Sequence, residues 1–404
     1  MLSLATPLGA QTESVEVTLS GEVRVRTELD ARTSGAGTDH ATLIRTRLGA
    51  MAKPSAEVSV FVQLSDSRAF GEETNSLTDA SADRFDVHQA WLAWTPKADL
   101  SLTVGRQELA FADERLVGTV GWANVTRAFD GIRLNLRKGE WTLDGFAVLL
   151  DEQAALLATG LNPRVNADST ADRALYGLWA ATEHLDLFAL GDVNATDGSD
   201  RRDIDRYTLG ARGRRRLGPI AFEAMAAYQL GRQTNEGFSR QDIKAYMASV
   251  AADYVLTGPL RGRFGFQADY LSGDETPLDD SFGSFNTLYA TNHKFYGLMD
   301  LFLNMPRQTG ELGFVDVQLR GVLQPDVWTI RFDLHQFWLA EDSEAGDRAI
   351  GHELDITASR TLARGLGLQA GYSLFSPSDA GEVAPIGLGS DTLHWAYVQL
   401  RAWF

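Results

Sequence analysis

The chain has 404 residues, 54 acidic against 37 basic side chains for a formal net charge of −17, and no cysteine. The lack of cysteine excludes disulfides, thiolate metal sites and cysteine nucleophiles, and the acidic balance argues against a surface built for nucleic acid. Of the 37 basic residues 32 are arginine and only 5 are lysine, a ratio that a bland solvated surface does not call for.

Residues 1–11, MLSLATPLGAQ, read as the end of an apolar targeting segment with a small-residue cleavage site after Ala10, although no basic stretch precedes it. Residues 1–10 are therefore expected to be a signal-peptide remnant and residues 11–404 a single domain. No run of 18 apolar residues occurs, so no transmembrane helix is expected.

From Val15 onward the pattern has period two. In residues 15–28 the apolar set Val15, Val17, Leu19, Val23 and Val25 alternates with Glu16, Thr18, Ser20, Glu22, Arg24 and Arg26. Residues 42–49 follow with Arg45 and Arg47 on the charged phase, where Leu43 is out of place. The alternation recurs at 58–64, 87–95, 100–106, 127–137, 141–150, 175–182, 185–192, 207–216, 220–230, 243–254, 261–271, 314–323, 327–338, 350–359, 366–375 and 392–404. About 18 strands result, many as long as a tilted strand needs to cross a bilayer, and the number is even. Short turns at 217–219 and 257–259 alternate with long polar links at 66–85, 151–172, 272–294 and 376–390, the asymmetry of periplasmic turns and extracellular loops. A soluble sandwich needs no strand longer than about six residues, and no fixed repeat supports a solenoid. The last segment ends on Phe404 with Ala402, Leu400 and Val398 at spacing two, as in a substrate of the barrel-assembly machinery. An all-β, monomeric, antiparallel transmembrane barrel in a bacterial outer membrane is the expected fold.

With the apolar phase toward lipid, the other phase faces the lumen, and it is rich in arginine: Arg24, Arg26, Arg45, Arg47, Arg106, Arg127, Arg133, Arg137, Arg212, Arg214, Arg216, Arg263, Arg320 and Arg331 fall on or near it. Arginine keeps its charge and offers a planar fork to carboxylates, and rings of it make anion-selective pores. Glu22, Glu223, Asp269, Asp316, Asp333, Glu353 and Asp355 share the phase, so a ladder of salt bridges that merely stiffens the wall is the competing reading. The seven histidines sit at no metal-ligand spacing and no enzyme signature is present. The loop acids Asp274, Asp279 and Asp280 could ligate calcium, but no EF-hand pattern surrounds them; Glu275 belongs to the same acidic stretch. Trp91, Trp94, Trp122, Trp141, Trp338, Trp395 and Trp403 are candidates for interfacial girdles.

Three ordered stretches carry a family resemblance. Gly105-Arg106-Gln107-Glu108-Leu109 leads through Asp113-Glu114-Arg115-Leu116-Val117-Gly118 to Phe129-Asp130-Gly131-Ile132-Arg133-Leu134. Ser272-Gly273-Asp274 continues through Pro277 and Asp279 to His293-Lys294-Phe295-Tyr296-Gly297-Leu298-Met299-Asp300. Gly351-His352-Glu353-Leu354-Asp355 precedes Gly371-Tyr372-Ser373-Leu374-Phe375. These stretches resemble the alginate-export porins over nearly the whole chain. The resemblance implies a monomeric barrel with an electropositive constriction for a polyuronate, and it assigns pore-lining roles to Arg106, Asp130, Arg133, Glu353 and Asp355. Arg24, Arg26, Arg45, Arg47 and Arg331 rest on alternation alone. The expectation is passive diffusion of an anionic oligo- or polysaccharide without a cofactor, in contact with outer-membrane lipid and lipopolysaccharide and with a periplasmic partner at the mouth. A porin for small anions, organic acids or sugars, and a loop-plugged structural barrel, are the alternatives.

Overall fold

A computed structural model describes residues 15–71, 85–151, 171–196, 204–234, 240–258, 261–276 and 279–404. The proposed signal remnant and Pro277 lie outside these residues. The strands are β1 Glu16–Ala31, β2 Asp39–Lys53, β3 Val58–Ala69, β4 Phe85–Lys97, β5 Leu100–Gln107, β6 Phe129–Lys138, β7 Trp141–Asp151, β8 Ala171–Ala181, β9 Leu185–Thr196 and β10 Ile204–Leu217. They continue as β11 Ile220–Thr234, β12 Arg240–Leu256, β13 Arg261–Leu271, the two-residue β14 Ser281–Phe282, β15 Phe314–Gln324, β16 Trp328–Trp338, β17 Ala349–Ala363, β18 Leu366–Pro377 and β19 Leu393–Trp403.

Eighteen of these pair antiparallel with their neighbours into one closed ring, and β14 adds a short parallel bridge on β12. Closure is by β1 against β19, in register from Glu22↔Trp403 to Ala31↔His394. The terminal Phe404 extends this pairing, exchanging two backbone hydrogen bonds with Gly21. A single chain thus leaves no open edge, as spanning a bilayer requires. Among the described residues no helix is long and apolar enough to cross a membrane.

The period-two pattern explains why the sheet closes this way round. Val104, Ile132, Leu178, Leu209, Leu319, Ile356 and Val398 point outward and are 44 to 67 % exposed. A continuous apolar surface of that kind is matched by lipid, not by water. Trp94, on the phase of Leu92, belongs to this surface, and Trp328 carries the Arg360 guanidinium over its ring at 5.2 Å. Trp122 and Trp395 do not join a girdle, because Trp395 is buried inside the barrel and Trp122 packs against it, partly buried.

Turns such as that between β10 and β11 are short, with Gly218 at φ +60°, a value that a side chain disfavours. The opposite ends are joined by long links, two of which fold inward: residues 108–128 between β5 and β6, and residues 272–276 and 279–313 between β13 and β15. They give the barrel an apolar core inside its own lumen.

Candidate pore and its inward loops

On β7 to β9 the phase that faces the lumen is largely apolar, broken by Asp144, Asp186 and Asp192. Phe146, Val148, Leu175, Trp179, Phe188 and Leu190 point inward and are at most 5 % exposed. They pack against Leu109, Phe111, Leu116 and Val117 of the first inward loop. Phe111 stacks on Phe146 and Trp179 at 5.0 and 5.3 Å, and Trp179 on Phe188 at 4.4 Å. Across the lumen, Phe302 of the second loop packs on Phe314, Phe337 and Phe375 of β15, β16 and β18.

The loops are also joined to each other. Gly118 N–H donates to Tyr289 O at 2.9 Å and Tyr289 N–H to Leu116 O at 2.8 Å. Glu114 accepts from Lys294 Nζ at 2.5 Å and Thr291 Oγ1 at 2.6 Å. Burial pushes the Glu114 carboxyl up, but these donors outweigh it and hold it below its ordinary value.

A backbone segment led into a lumen must satisfy its carbonyls. Here the wall arginines do so. Arg24 donates to Trp122 O at 2.9 Å, Ala123 O at 3.0 Å, Gly121 O at 3.3 Å and Asn124 Oδ1 at 3.3 Å. Arg45 reaches Ala123 O at 2.9 Å and Gly121 O at 3.1 Å, and Arg26 reaches Trp122 O at 2.9 Å with its guanidinium 4.2 Å from the Trp122 ring centroid. The three arginines are 3 to 4 % exposed. Alternation places them on the lumen phase, but they are roofed by residues 121–124 and offer no free fork to a solute. Arg47, beside them, hydrogen-bonds Thr126 and lies 3.6 Å from Glu108.

Glu353 and Asp355 hold the second loop. Both face inward from β17 and are at most 1 % exposed. Met299 N–H donates to Glu353 Oε1 at 2.9 Å and Leu298 N–H to Asp355 Oδ2 at 3.1 Å. Like the arginine trio they fix a loop rather than line an open passage. Gly297, at φ +86°, lets the chain pass so close that a Cβ there would stand 2.5 Å from the Glu353 carboxyl group. Gly297→Ala should therefore lift this loop, through a left-handed backbone cost of about 1–2 kcal/mol added to the clash. A severalfold increase in open-channel noise, with heat-modifiable migration on a detergent gel retained, is the expected reading; unchanged noise would show that Glu353 does not set the loop's position.

Arg106 and Asp130 are misplaced by the sequence reading. Arg106 pairs with Ala90 and Asp130, and it shares its face with Val104 as Asp130 does with Ile132. Both therefore point outward at the long-loop end of the barrel, joined by an ion pair of 2.7 Å. The inward neighbours are Gln107 and Phe129, 4 and 1 % exposed. The motif resemblance located the segment correctly, but the alternation within it runs the other way.

Arg133 and Arg331 are inward and partly open to solvent. Arg133 Nε donates to Asp144 Oδ1 at 2.7 Å, and Arg331 pairs with Asp333 through Nε. Sequence alternation had also included Arg137, Arg216 and Arg263, and these prove to be the exposed ones: all three lie on inward phases beside the short turns. Among the described residues the side chains of Arg137 and Arg263 have no partner, while Arg216 donates only to Gly218 O at 3.1 Å. By contrast Arg212 is joined to Glu223, Arg214 to Asp186 and Arg320 to Asp253.

The three proposed calcium ligands do not converge. Asp279 is turned back onto Ser281, accepting from its N–H at 2.7 Å and its hydroxyl at 2.8 Å, and Asp280 is exposed. Asp274 is enclosed and burial pushes its carboxyl up. Among the described residues no three acid or imidazole side chains gather as a metal site.

The family model described as "Alginate export" matches residues 15–386. Among solved structures, Pseudomonas aeruginosa OccK11 (OpdR) superposes with a TM-score of 0.62 at 13 % identity, over 96 % of either chain. The outer membrane protein opdK of the same species gives 0.61 at 12 % identity, over 96 % of this chain and 98 % of that one. A BenF-like porin from Pseudomonas fluorescens Pf-5 gives 0.60 at 11 % identity, over 97 and 99 %. No curated protein sequence matches the chain significantly. At these identities the solved structures bear on the fold alone, that of an outer-membrane β-barrel. On the match across residues 15–386, the chain belongs to the alginate export family of bacterial outer-membrane β-barrels.

Proposed function

We propose that the channel conducts acidic sugar chains of the uronate type, alginate among them, by passive diffusion across the outer membrane. The observation that carries this reading is the set of inward arginines at the short-turn end that neither the wall nor the loops engage fully: Arg137, Arg216, Arg263 and Arg331. An exposed guanidinium presents two parallel N–H groups to a carboxylate. Several of them in succession replace part of each carboxylate's hydration, while nearby acids such as Asp333 keep each stop weak enough to leave.

The test is the reversal potential of the purified barrel in a planar bilayer under a potassium chloride gradient. A potential on the anion side is the expected result, and one on the cation side would overturn the reading. The filling of the lumen by residues 108–128, 272–276 and 279–313 favours a second reading, a channel for small organic anions. Block by oligouronates whose dwell time grows with chain length supports the polymer; block by monomers alone supports the small anion.

A further inference from the structure

At the short-turn, periplasmic end the inner wall from β16 to β19 carries a recess of about 310 Å³, at the lower end of the volumes that small-ligand sites occupy. Its lining includes Thr329, Ser359, Gln369, Gln399, Arg401 and Trp403. The first four form one lateral row, Thr329↔Ser359, Ser359↔Gln369 and Gln369↔Gln399, directly opposite one another on four successive strands. Two hydroxyls and two amides in line give donors and acceptors without charge. Arg401 stands beside the row, opposite Gly367, and is half exposed. Glu22 engages its Nε and Nη2 at 2.7 and 2.6 Å, and its Nη1 has no partner among the described residues. Trp403 lies against Gly367, where any Cβ would come within 3.3 Å of the indole, and it is 41 % exposed.

Two groups of the residues lining this recess are short of a partner, Arg360 Nε and Gln399 Oε1. Gln399 is 8 % exposed, shares its Nε2 with Gln369 Oε1 at 3.4 Å, and leaves its own Oε1 without a donor. A buried acceptor in that state is destabilising until a donor arrives, and a ligand hydroxyl met by a small amide rotation would supply it. The inventory is that of a pyranose carrying a carboxylate: a cation for the acid group, hydroxyls and amides for the ring hydroxyls, and an indole face for the apolar side of the ring.

We infer that this recess is a capture subsite for one uronate residue at the periplasmic mouth, with Arg401 binding the carboxylate and the Thr329–Gln399 row binding the ring hydroxyls. It rests on the reading of the channel as a path for acidic sugars, and it adds a first stop at the mouth to the exposed arginines of that path.

The experiment uses the purified full-length barrel in planar bilayers, inserted from one side, with trigalacturonate as probe and maltotriose as its uncharged counterpart. Trigalacturonate should interrupt the current at a lower concentration from the short-turn side than from the other. Arg401→Gln should raise its half-blocking concentration at least tenfold, and Ser359→Ala with Gln369→Ala should raise it several-fold. Heat-modifiable migration certifies that each variant is folded. Equal block from both sides, block indifferent to Arg401→Gln, or equal block by maltotriose would each overturn the subsite. The reversal potential of the same channels separates the two readings. Anion preference without trigalacturonate block leaves the channel reading standing and removes the subsite, whereas cation preference with Arg401-dependent block does the reverse.

Discussion

Replacing Arg24 and Arg45 together by alanine is expected to raise single-channel conductance severalfold while leaving the barrel closed and heat-modifiable. The two side chains make six hydrogen bonds to residues 121–124, all from a charged donor and five of them to backbone carbonyls. A hydrogen bond to a charged group contributes about 1.5–3 kcal/mol, so their loss removes the main polar restraint on the tip of the first inward loop. The wall itself has less to lose. Arg401, Arg24 and Arg45 stand directly opposite one another on β19, β1 and β2, and like charges so placed repel. Glu22, which bridges Arg45 and Arg401, keeps Arg401 as its partner in the variant. The barrel thus sheds a repulsion while the loop sheds its anchor. Lysine at both positions should give an intermediate conductance, because an ammonium on a flexible stem does not span two carbonyls as a planar guanidinium does. Unchanged conductance in the double alanine variant would assign the loop's position to Arg26 and to the apolar packing of Phe111 and Val117.

The strands were legible because lipid imposes a rule on every second residue, and from that rule came the eighteen-strand ring and the face of Arg24, Arg45, Glu353 and Asp355. What alternation supplies is a direction, not a partner. Backbone carbonyls have no sequence signature, so arginines that clamp residues 121–124 read the same as arginines open to solute. Strand ends were underestimated where the sheet rises beyond the apolar band. β3 runs to Ala69 rather than to Leu64, because Asp66 and Arg68 form an ion pair at the long-loop end and so resemble a loop. Arg106 and Asp130 misled for the same reason, since outward residues above the lipid are free to be charged. The inward loops left a trace that the period-two reading did not weigh. On β7 to β9 the lumen phase holds Phe146, Val148, Trp179 and Phe188 beside Asp144, Asp186 and Asp192, and large apolar side chains on both faces of a strand pack against something on each.

Reversing three exposed charges, Arg137→Glu, Arg263→Glu and Arg331→Glu together, should turn the channel from anion-selective to cation-selective. These side chains lie on inward phases of β6, β13 and β16 near the short turns, and Arg137 and Arg263 have no side-chain partner among the described residues, so their replacement strands no buried acid. Arg331 does pair with Asp333, and Arg331→Gln in place of glutamate keeps a donor beside that carboxylate should the triple variant fail to fold. The change amounts to six units of charge around one mouth, large against the field of the paired residues deeper in the lumen. It should be strongest at about 0.1 M salt, where the screening length is near 10 Å, and should shrink at about 1 M, where it is near 3 Å. The paired arginines supply the contrast. Arg320 holds Asp253 at 2.7 and 3.0 Å and Gln267 at 2.5 Å, and Asp253 is only 8 % exposed. Arg320→Gln leaves that carboxylate enclosed without its cation, a loss that costs several kcal/mol at buried pairs. Its signature should be a lower temperature for the heat-modifiable shift with a smaller change in reversal potential. If Arg320→Gln moved the reversal potential as far as the triple substitution does, selectivity would reside in the paired ladder of the wall and not in the open arginines of the mouth.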